Sequence, residues 1–76
     1  MTGAYVLINC AAGKTAEVVR ALRRQGLREV RAVAGIYDIV AYVEARTPSQ
    51  IGDLVVRKIQ SLDGIERTMT MVSVRL

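Results

Sequence analysis

Histidine, tryptophan and phenylalanine are absent from this chain of 76 residues, and cysteine occurs once. Without histidine the chain lacks the commonest general base, and no serine or cysteine stands near a residue that would activate it. The single thiol, Cys10, cannot form an internal disulfide, and the usual sets of histidine and cysteine metal ligands cannot be assembled. We therefore expect a protein that is not an enzyme, with no catalytic residues, no metal ligands and no cofactor.

Long apolar runs are also missing. No segment reaches the roughly 20 apolar residues that span a bilayer, and no basic stretch precedes the first apolar segment as it would in a secretory signal. These absences predict a cytoplasmic protein that does not associate with membranes.

The positive charge raises the question of nucleic acid, because nine arginines and two lysines give a net charge of +4. A single-stranded nucleic acid site on a sheet needs exposed aromatic side chains for base stacking. Only three tyrosines are present, and Tyr5 and Tyr42 lie in apolar segments that we expect to be buried. The basic cluster at residues 20–28 is typical of a solvated helix face, so no direct nucleic acid binding is predicted.

Hydrophobic residues make up 51% of the chain, a large share for a single small domain. In its first half, alternating and helical periodicities predict three strands and one helix. Thr15 is expected to be the N-cap of that helix, and Gly26 is expected to follow its last turn. The predicted elements are a strand at residues 4–10 buried on both faces, a helix at 15–25, and strands at 29–34 and 37–44.

The second half has a clear helix start, because residues 47–50 read Thr-Pro-Ser-Gln, a capping box with proline at the first helical position. The helix is predicted to continue to Leu62, before Asp63 and Gly64. A last strand follows at residues 65–74, with Thr68 and Thr70 on one face and Met69 and Met71 on the other. We expect the two methionines to pack against the helices.

The order β-α-β-β-α-β predicts an α+β, ferredoxin-like fold, in which a four-stranded antiparallel sheet carries both helices on one face. Strands one and three have bulky apolar residues on both faces, so one apolar sheet surface would remain uncovered in a monomer. This pattern predicts a homodimer packed sheet to sheet. The alternative is that strand twist and loops cover this surface within one chain.

Four segments occur in order on this fold: AGK before helix one, EV opening strand two, GIYD opening strand three, and DGIERTMTMVSV closing the chain. Together they resemble the effector-binding and oligomerisation (RAM) domain of the Lrp/AsnC transcription regulators, over nearly the whole chain. The resemblance implies a single ligand-binding domain at residues 1–76. The helix-turn-helix domain usual in the family has no counterpart ahead of the first strand, so we expect no DNA binding by this chain.

The resemblance also implies a small-molecule pocket between dimers, commonly occupied by an amino acid. The ligand-binding residues that it implies are Gly35, Ile36, Tyr37, Asp38, Thr68 and Thr70. A carboxylate such as Asp38 suits an ammonium group, and glycine allows close approach of the backbone. The alternative for Asp38 is that it pairs with an arginine across the dimer or caps its own turn, and alternating threonines are common in strands without any ligand.

The leading hypothesis is therefore an amino acid-binding module whose homodimers assemble into a higher oligomer and modulate transcription regulators of the Lrp/AsnC type. Full-length regulators of that type are candidate partners. One alternative is a small cofactor-less enzyme of the dimeric α+β barrel group, for which only Asn9 is a remote candidate residue. The other is a purely structural, partner-docking protein.

Overall fold

The computed structural model describes residues 1–76 and has the predicted order of elements. The elements are β1 (Thr2–Cys10), α1 (Thr15–Arg24), β2 (Glu29–Ala32), β3 (Ile39–Ala45), α2 (Pro48–Leu54) and β4 (Ile65–Val72). A π-helical segment, Val55–Ile59, continues α2. Each strand differs from its predicted range at one or both ends. β1 begins two residues earlier, β2 and β4 each end two residues earlier, and β3 begins two residues later and ends one residue later.

The four strands form one antiparallel sheet in the order β2-β3-β1-β4. β1 lies at the centre, where Tyr5 is opposite Tyr42 of β3 on one side and Met71 of β4 on the other. β2 and β4 are the edge strands. This arrangement confirms the predicted ferredoxin-like fold.

The N-cap of helix α1 lies one residue earlier than predicted. It is Lys14, which makes no side-chain capping bond, and Thr15 is already the first helical residue. The prediction that Thr15 caps this helix was therefore wrong. The first turn closes through the carbonyl oxygen of Lys14, which accepts from the Val18 amide at 2.9 Å. The other end agrees with the prediction, because Gly26 has a φ of 96° just beyond the C-cap.

Helix α2 begins at the predicted capping box. The Thr47 hydroxyl oxygen accepts from the Gln50 amide at 3.1 Å, while the Gln50 side-chain oxygen accepts from the amide of Arg46, also at 3.1 Å. Instead of continuing as a regular α-helix to Leu62, the chain widens into the π-helical segment, where the Gln60 amide donates to the Val55 oxygen. Ile51, Val55 and Ile59, each four residues apart, are buried along this length.

The hydrophobic core lies between the helices and one face of the sheet, which we call the covered face. Residues of β1 and β3 that point to this face alternate with residues that point away from it. All of the buried residues are hydrophobic, and the largest fully buried side chains are Ile8, Leu22, Ile39, Ile51, Ile59, Val6, Val18 and Val30.

The opposite surface, which we call the open face, consists of Tyr5, Leu7, Val40, Tyr42, Met69 and Met71. Met69 and Met71 are 47% and 45% exposed, so the prediction that they pack against the helices was wrong. Thr68 and Thr70 lie opposite the buried residues Ile8 and Val6, so the threonines take the covered face.

The predicted burial of β1 on both faces is likewise not found within one chain, because Tyr5 is 47% exposed. Tyr42, also expected to be buried, is only half-buried. Loops therefore do not cover the open face within the chain. Neither helix has the length and apolar character needed to cross a bilayer.

Candidate functional site

The GIYD segment forms the connection between β2 and β3. Gly35 has a φ of 156°, and a Cβ added there would meet no atom within 4 Å, so the backbone conformation rather than crowding favours glycine. Ile36 is 89% exposed, which is unusual for a large apolar residue. The turn thus projects an apolar side chain away from the domain.

Asp38 joins this turn to the sheet. Its amide donates to the Ile8 oxygen at 2.9 Å, and its carbonyl oxygen accepts from the Val33 amide at 2.9 Å. Its carboxylate oxygen Oδ2 accepts from the Cys10 amide at 2.8 Å. The half-buried side chain therefore continues the β1–β3 hydrogen-bond ladder beyond Ile39, while Oδ1 has no hydrogen-bond partner within the chain.

Cys10, the partner of this bond, lies on the covered face and is 9% exposed. Burial raises the pKa of its thiol, and the nearby Asp38 carboxylate raises it further. Because the thiolate is the reactive form, both effects keep Cys10 unreactive at neutral pH. Cys10 is therefore a small residue of the hydrophobic core.

Tyr37 points the other way, onto the open face. Its hydroxyl donates to Met69 Sδ at 3.7 Å. Since β1 lies between β3 and β4, the tyrosine ring must pass over β1 to reach that sulfur. On β1, Asn9 has a buried side-chain oxygen without a hydrogen-bond partner in the chain.

Thr68 and Thr70 lie on the covered face at the β4 edge of the sheet. The Thr68 hydroxyl oxygen accepts from the Gln60 side-chain amide at 2.8 Å, and Thr70 is exposed. The structure thus places the six predicted ligand-binding residues in two groups, residues 35–38 and the two threonines, which β1 separates. A single chain does not bring the two groups together.

Three of the four cavities of the chain lie elsewhere, and none of these three is lined by any of the six predicted residues. The largest of the three has a volume of about 450 Å³ and lies between the end of α1, the last residues of β3 and helix α2. Sequence reasoning missed it. The only sequence feature that could have indicated this cavity is the short segment between Gly26 and Glu29, which connects the end of α1 to the strand that pairs with β3.

One polar interaction lies beside this cavity and on the open face. The Tyr42 hydroxyl donates to Glu44 Oε2 at 3.1 Å, and this hydrogen bond to a carboxylate raises the pKa of Tyr42. The Tyr42 ring lies tilted at 56° to that of Tyr5, with ring centres 5.0 Å apart. Gly3 leaves room for this position, since a Cβ at Gly3 would collide with the Tyr42 hydroxyl oxygen.

Comparisons with known proteins agree with the fold and the motifs. The sequence model of the Lrp/AsnC ligand binding domain matches residues 3–76. An uncharacterised HTH-type transcriptional regulator of Pyrococcus furiosus is 40% identical over 48 residues, which are 63% of this chain and 32% of that protein. The chain thus spans about a third of the length of the curated relatives that it matches.

Among solved structures, the protein TTHA0845 from Thermus thermophilus is 34% identical with a TM-score of 0.90, covering 100% of this chain and 96% of that one. The regulator NMB0573 from Neisseria meningitidis, solved as a complex with L-Met, is 14% identical with a TM-score of 0.82, covering 97% of this chain and 50% of that one. The second likeness concerns the fold alone. The chain belongs to the Lrp/AsnC ligand-binding domain family, the effector-binding part of transcription regulators.

Proposed function

We propose that this chain is an assembly and effector-binding module: it dimerises through the open face and binds an amino acid at the GIYD turn. Changes in its assembly would then modulate regulators of the Lrp/AsnC type. The observation that carries the proposal is the uncovered open face. The register places Val40, Leu7 and Met69 side by side across three strands, with Tyr42, Tyr5 and Met71 in the next row.

A patch of this kind favours a partner sheet. Monomeric proteins rarely expose large contiguous apolar patches, and a domain this small buries a limited share of its own surface. Two identical sheets can cover each other across a two-fold axis, since such an interface uses the same patch on both subunits. The absence of a side chain at Gly3 lets the Tyr42 ring lie close to β1, which suits close sheet-to-sheet packing.

Amino acid binding at the turn is supported by the geometry of Asp38. One carboxylate oxygen is held by the Cys10 amide, which fixes the orientation of the group, and the other is unpartnered within the chain. A fixed, half-buried carboxylate is a good acceptor for an ammonium group. Because β1 separates this turn from Thr68 and Thr70 within one chain, a ligand that contacts both groups would lie between subunits, and its binding would be linked to assembly.

The same geometry offers a competing explanation, in which Asp38 serves only to continue the hydrogen-bond ladder. Two substitutions separate the alternatives. Asp38→Ala removes the Cys10 bond and is expected to destabilise the fold by about 1–3 kcal/mol. Asp38→Asn keeps an acceptor for the Cys10 amide and removes only the charge.

The test is calorimetric titration and thermal-shift screening of the wild-type chain and both variants against the common amino acids. We expect one or a few amino acids to bind the wild-type chain, and Asp38→Asn to lose that binding while keeping most of the stability. If Asp38→Asn binds as well as the wild-type chain, the carboxylate is structural and the proposed site is wrong.

Assembly is tested separately by sedimentation velocity and light scattering over a range of protein concentrations, with and without the bound amino acid. Dimers or larger oligomers are expected, whereas monomers at high micromolar concentration would contradict the role of the open face.

Pull-down of full-length Lrp/AsnC regulators with and without the amino acid tests the proposed partners. Gel-shift assays with the chain alone test the expected lack of DNA binding, and fractionation tests the proposed cytoplasmic location.

A further inference from the structure

β3 extends beyond the first residue of β2, so the last residues of β3 have no neighbouring strand on the side of β2. β2 begins at Glu29, which pairs with Tyr42, whereas β3 continues to Ala45. In an antiparallel ladder the backbone groups of successive residues point alternately to the two neighbouring strands. The Val33 amide donates to the Asp38 oxygen, so this oxygen points toward β2. On β1, the Gly3 oxygen accepts from Ser73 and points toward β4, away from Glu44, the residue paired with Gly3. The N–H and C=O groups of Glu44 therefore point toward the side of β2.

No residue of the chain pairs with these two backbone groups. The position opposite Glu44 in the β2–β3 register is Leu27, but the Leu27 amide donates back to the Leu22 oxygen at the end of α1. The hydrogen bonds outside the regular ladders include none to the backbone of Glu44. We call this gap, opposite Glu44 and next to the segment from Gly26 to Glu29, the edge notch.

The cavity of about 450 Å³ lies at the edge notch, and it falls within the size range of small-molecule sites. Its apolar lining comes from Leu27, Val43 and Leu54. The first two are almost fully buried, so this lining is part of the domain core and is held in place by it.

Charged side chains of both signs surround the cavity. Arg28 and Lys58 supply two positive charges, and Glu29 and Glu44 supply two negative charges. None of the four takes part in an ion pair, since the salt bridges of the chain join Lys14 to Glu17 and Asp53 to Arg57. The hydrogen bond from Tyr42 orients the Glu44 carboxylate at this position. The edge notch therefore offers both signs of charge, a backbone donor and a backbone acceptor around an apolar floor.

We propose that the edge notch binds a free α-amino acid with an apolar side chain, which takes the hydrogen bonds that a further β2 residue would have made. The ligand carboxylate accepts from the Glu44 N–H and faces Arg28 and Lys58. The ligand ammonium group donates to the Glu44 C=O and faces the carboxylates of Glu29 and Glu44. The side chain of a strand residue opposite Glu44 would point to the open face. A free amino acid does not have to follow this alternation of side chains, so its side chain packs on Leu27, Val43 and Leu54.

This site is separate from the proposed effector site at the GIYD turn. Asp38 precedes Glu44 by six positions on β3, which corresponds to about 20 Å along an extended strand. Binding at one site therefore leaves the direct contacts of the other unchanged, and the two sites can be tested independently in the same sample.

The experiment is a titration of the ¹⁵N-labelled wild-type chain with L-leucine, followed by amide chemical shifts. We expect saturable shifts at Gly26 and Glu44. Leucinamide, which lacks the carboxylate, and N-acetyl-leucine, which lacks the ammonium group, are each expected to bind about tenfold more weakly or worse, because each loses a charge-assisted hydrogen bond.

Two variants locate the binding. Leu54→Trp fills the cavity and is expected to abolish the shifts at Glu44, whereas Asp38→Asn is expected to leave them unchanged. The proposal is overturned if L-leucine produces no saturable shift at Glu44 in the wild-type chain, or if both derivatives bind as well as leucine. Shifts confined to residues 35–38 would overturn the edge notch and retain the effector site. Saturable shifts at Glu44 without shifts at residues 35–38 would support the edge notch and show that leucine is not the ligand of the effector site.

Discussion

The two faces of the sheet are built from alternating residues of the same strands, yet they have opposite surroundings. On β1, Ile8 is fully buried beneath the helices, whereas its neighbour Leu7 lies on the open face and is only partly buried. Both faces are apolar, so hydrophobicity alone does not distinguish them. The covered face is completed within the chain, whereas the chain leaves the open face uncovered. From this difference we expect the open face to be covered by a partner subunit.

The largest expected effect concerns the covered face. Ile8→Ala removes a fully buried side chain and leaves a cavity, which is expected to cost about 2–5 kcal/mol of unfolding free energy. Urea unfolding followed by circular dichroism measures the loss. Leu7→Ala, one residue away, is the matched control and is expected to cost clearly less when measured at low protein concentration. Equal losses would show that the two faces are equally buried within the chain.

The next effect concerns the open face. Leu7→Arg places a charge at the centre of the proposed interface, where it would be buried without a partner, so the dimer is expected to weaken by about 100-fold or more. The chain should remain folded, because Leu7 lies outside the core. Sedimentation velocity measures the dimer, and circular dichroism the fold. Val56→Arg is the control, since Val56 is 58% exposed on the π-helical segment. A dimer unaffected by Leu7→Arg would contradict the proposed interface.

A smaller effect is expected at Gly3, whose missing side chain leaves room for the Tyr42 hydroxyl. Gly3→Ala forces Tyr42 away from Glu44 and roughens the surface, so we expect dimer affinity to fall by about tenfold, corresponding to about 1.4 kcal/mol. Gly52→Ala is the control, because a Cβ there meets nothing within 4 Å and the residue lies inside helix α2. That control is expected to stabilise the chain by about 0.5–1 kcal/mol. Unchanged dimerisation in Gly3→Ala would show that the position of Tyr42 is irrelevant to assembly.

The smallest effect is a pH dependence that differs between the faces. The pKa of Cys10 is raised from 9.0 by burial on the covered face, and that of Tyr42 is raised from 10.0 by its bond to Glu44 on the open face. In both cases the folded state favours the protonated form, so the stabilisation is complete below the unfolded pKa and is lost as pH rises through the folded value.

Thermal unfolding between pH 8 and pH 11 should therefore show a loss of stability that begins near pH 9, from Cys10, and continues above about pH 10, from Tyr42. Cys10→Ala is expected to remove the first part of the decline, and Tyr42→Phe the second. A Cys10→Ala curve with the same decline from pH 9 would show that burial of the thiol does not contribute.

Local sequence signals predicted much of the fold. The capping box at Thr47 and Gln50 and the glycine at position 26 mark helix boundaries through short-range geometry, and both are confirmed. The π-helical turn at Val55 was not predicted, because residues four apart suit both a regular helix and a widened one. The N-cap of α1 was misplaced by one residue, since the side-chain preference for threonine was overridden by the turn that ends at Lys14.

Long-range features were harder to predict. The alternation of Thr68 with Met69 was correct, but which of the two faces the helices depends on the pairing of β4 with β1, and the local sequence does not specify that register. The role of Asp38 in the ladder depends on an amide 28 residues away, at Cys10. The edge notch likewise arises from where two strands stop relative to each other. Of the six predicted ligand-binding residues, Thr68 and Thr70 lie in the predicted last strand, whereas Tyr37 and Asp38 lie in the β2–β3 connection and not in β3 as predicted. The joint role of the six residues stays a prediction.

The position of β4 at the rim of the sheet has a practical consequence. Its eight residues, Ile65–Val72, pair with β1 on one side only and include no proline or lysine. Unpaired main-chain groups along a regular outer strand are a template on which further strands can deposit. Fibril formation during concentration, storage or partial unfolding is therefore expected to begin at β4. A lysine or proline substituted into this edge strand is expected to reduce aggregation.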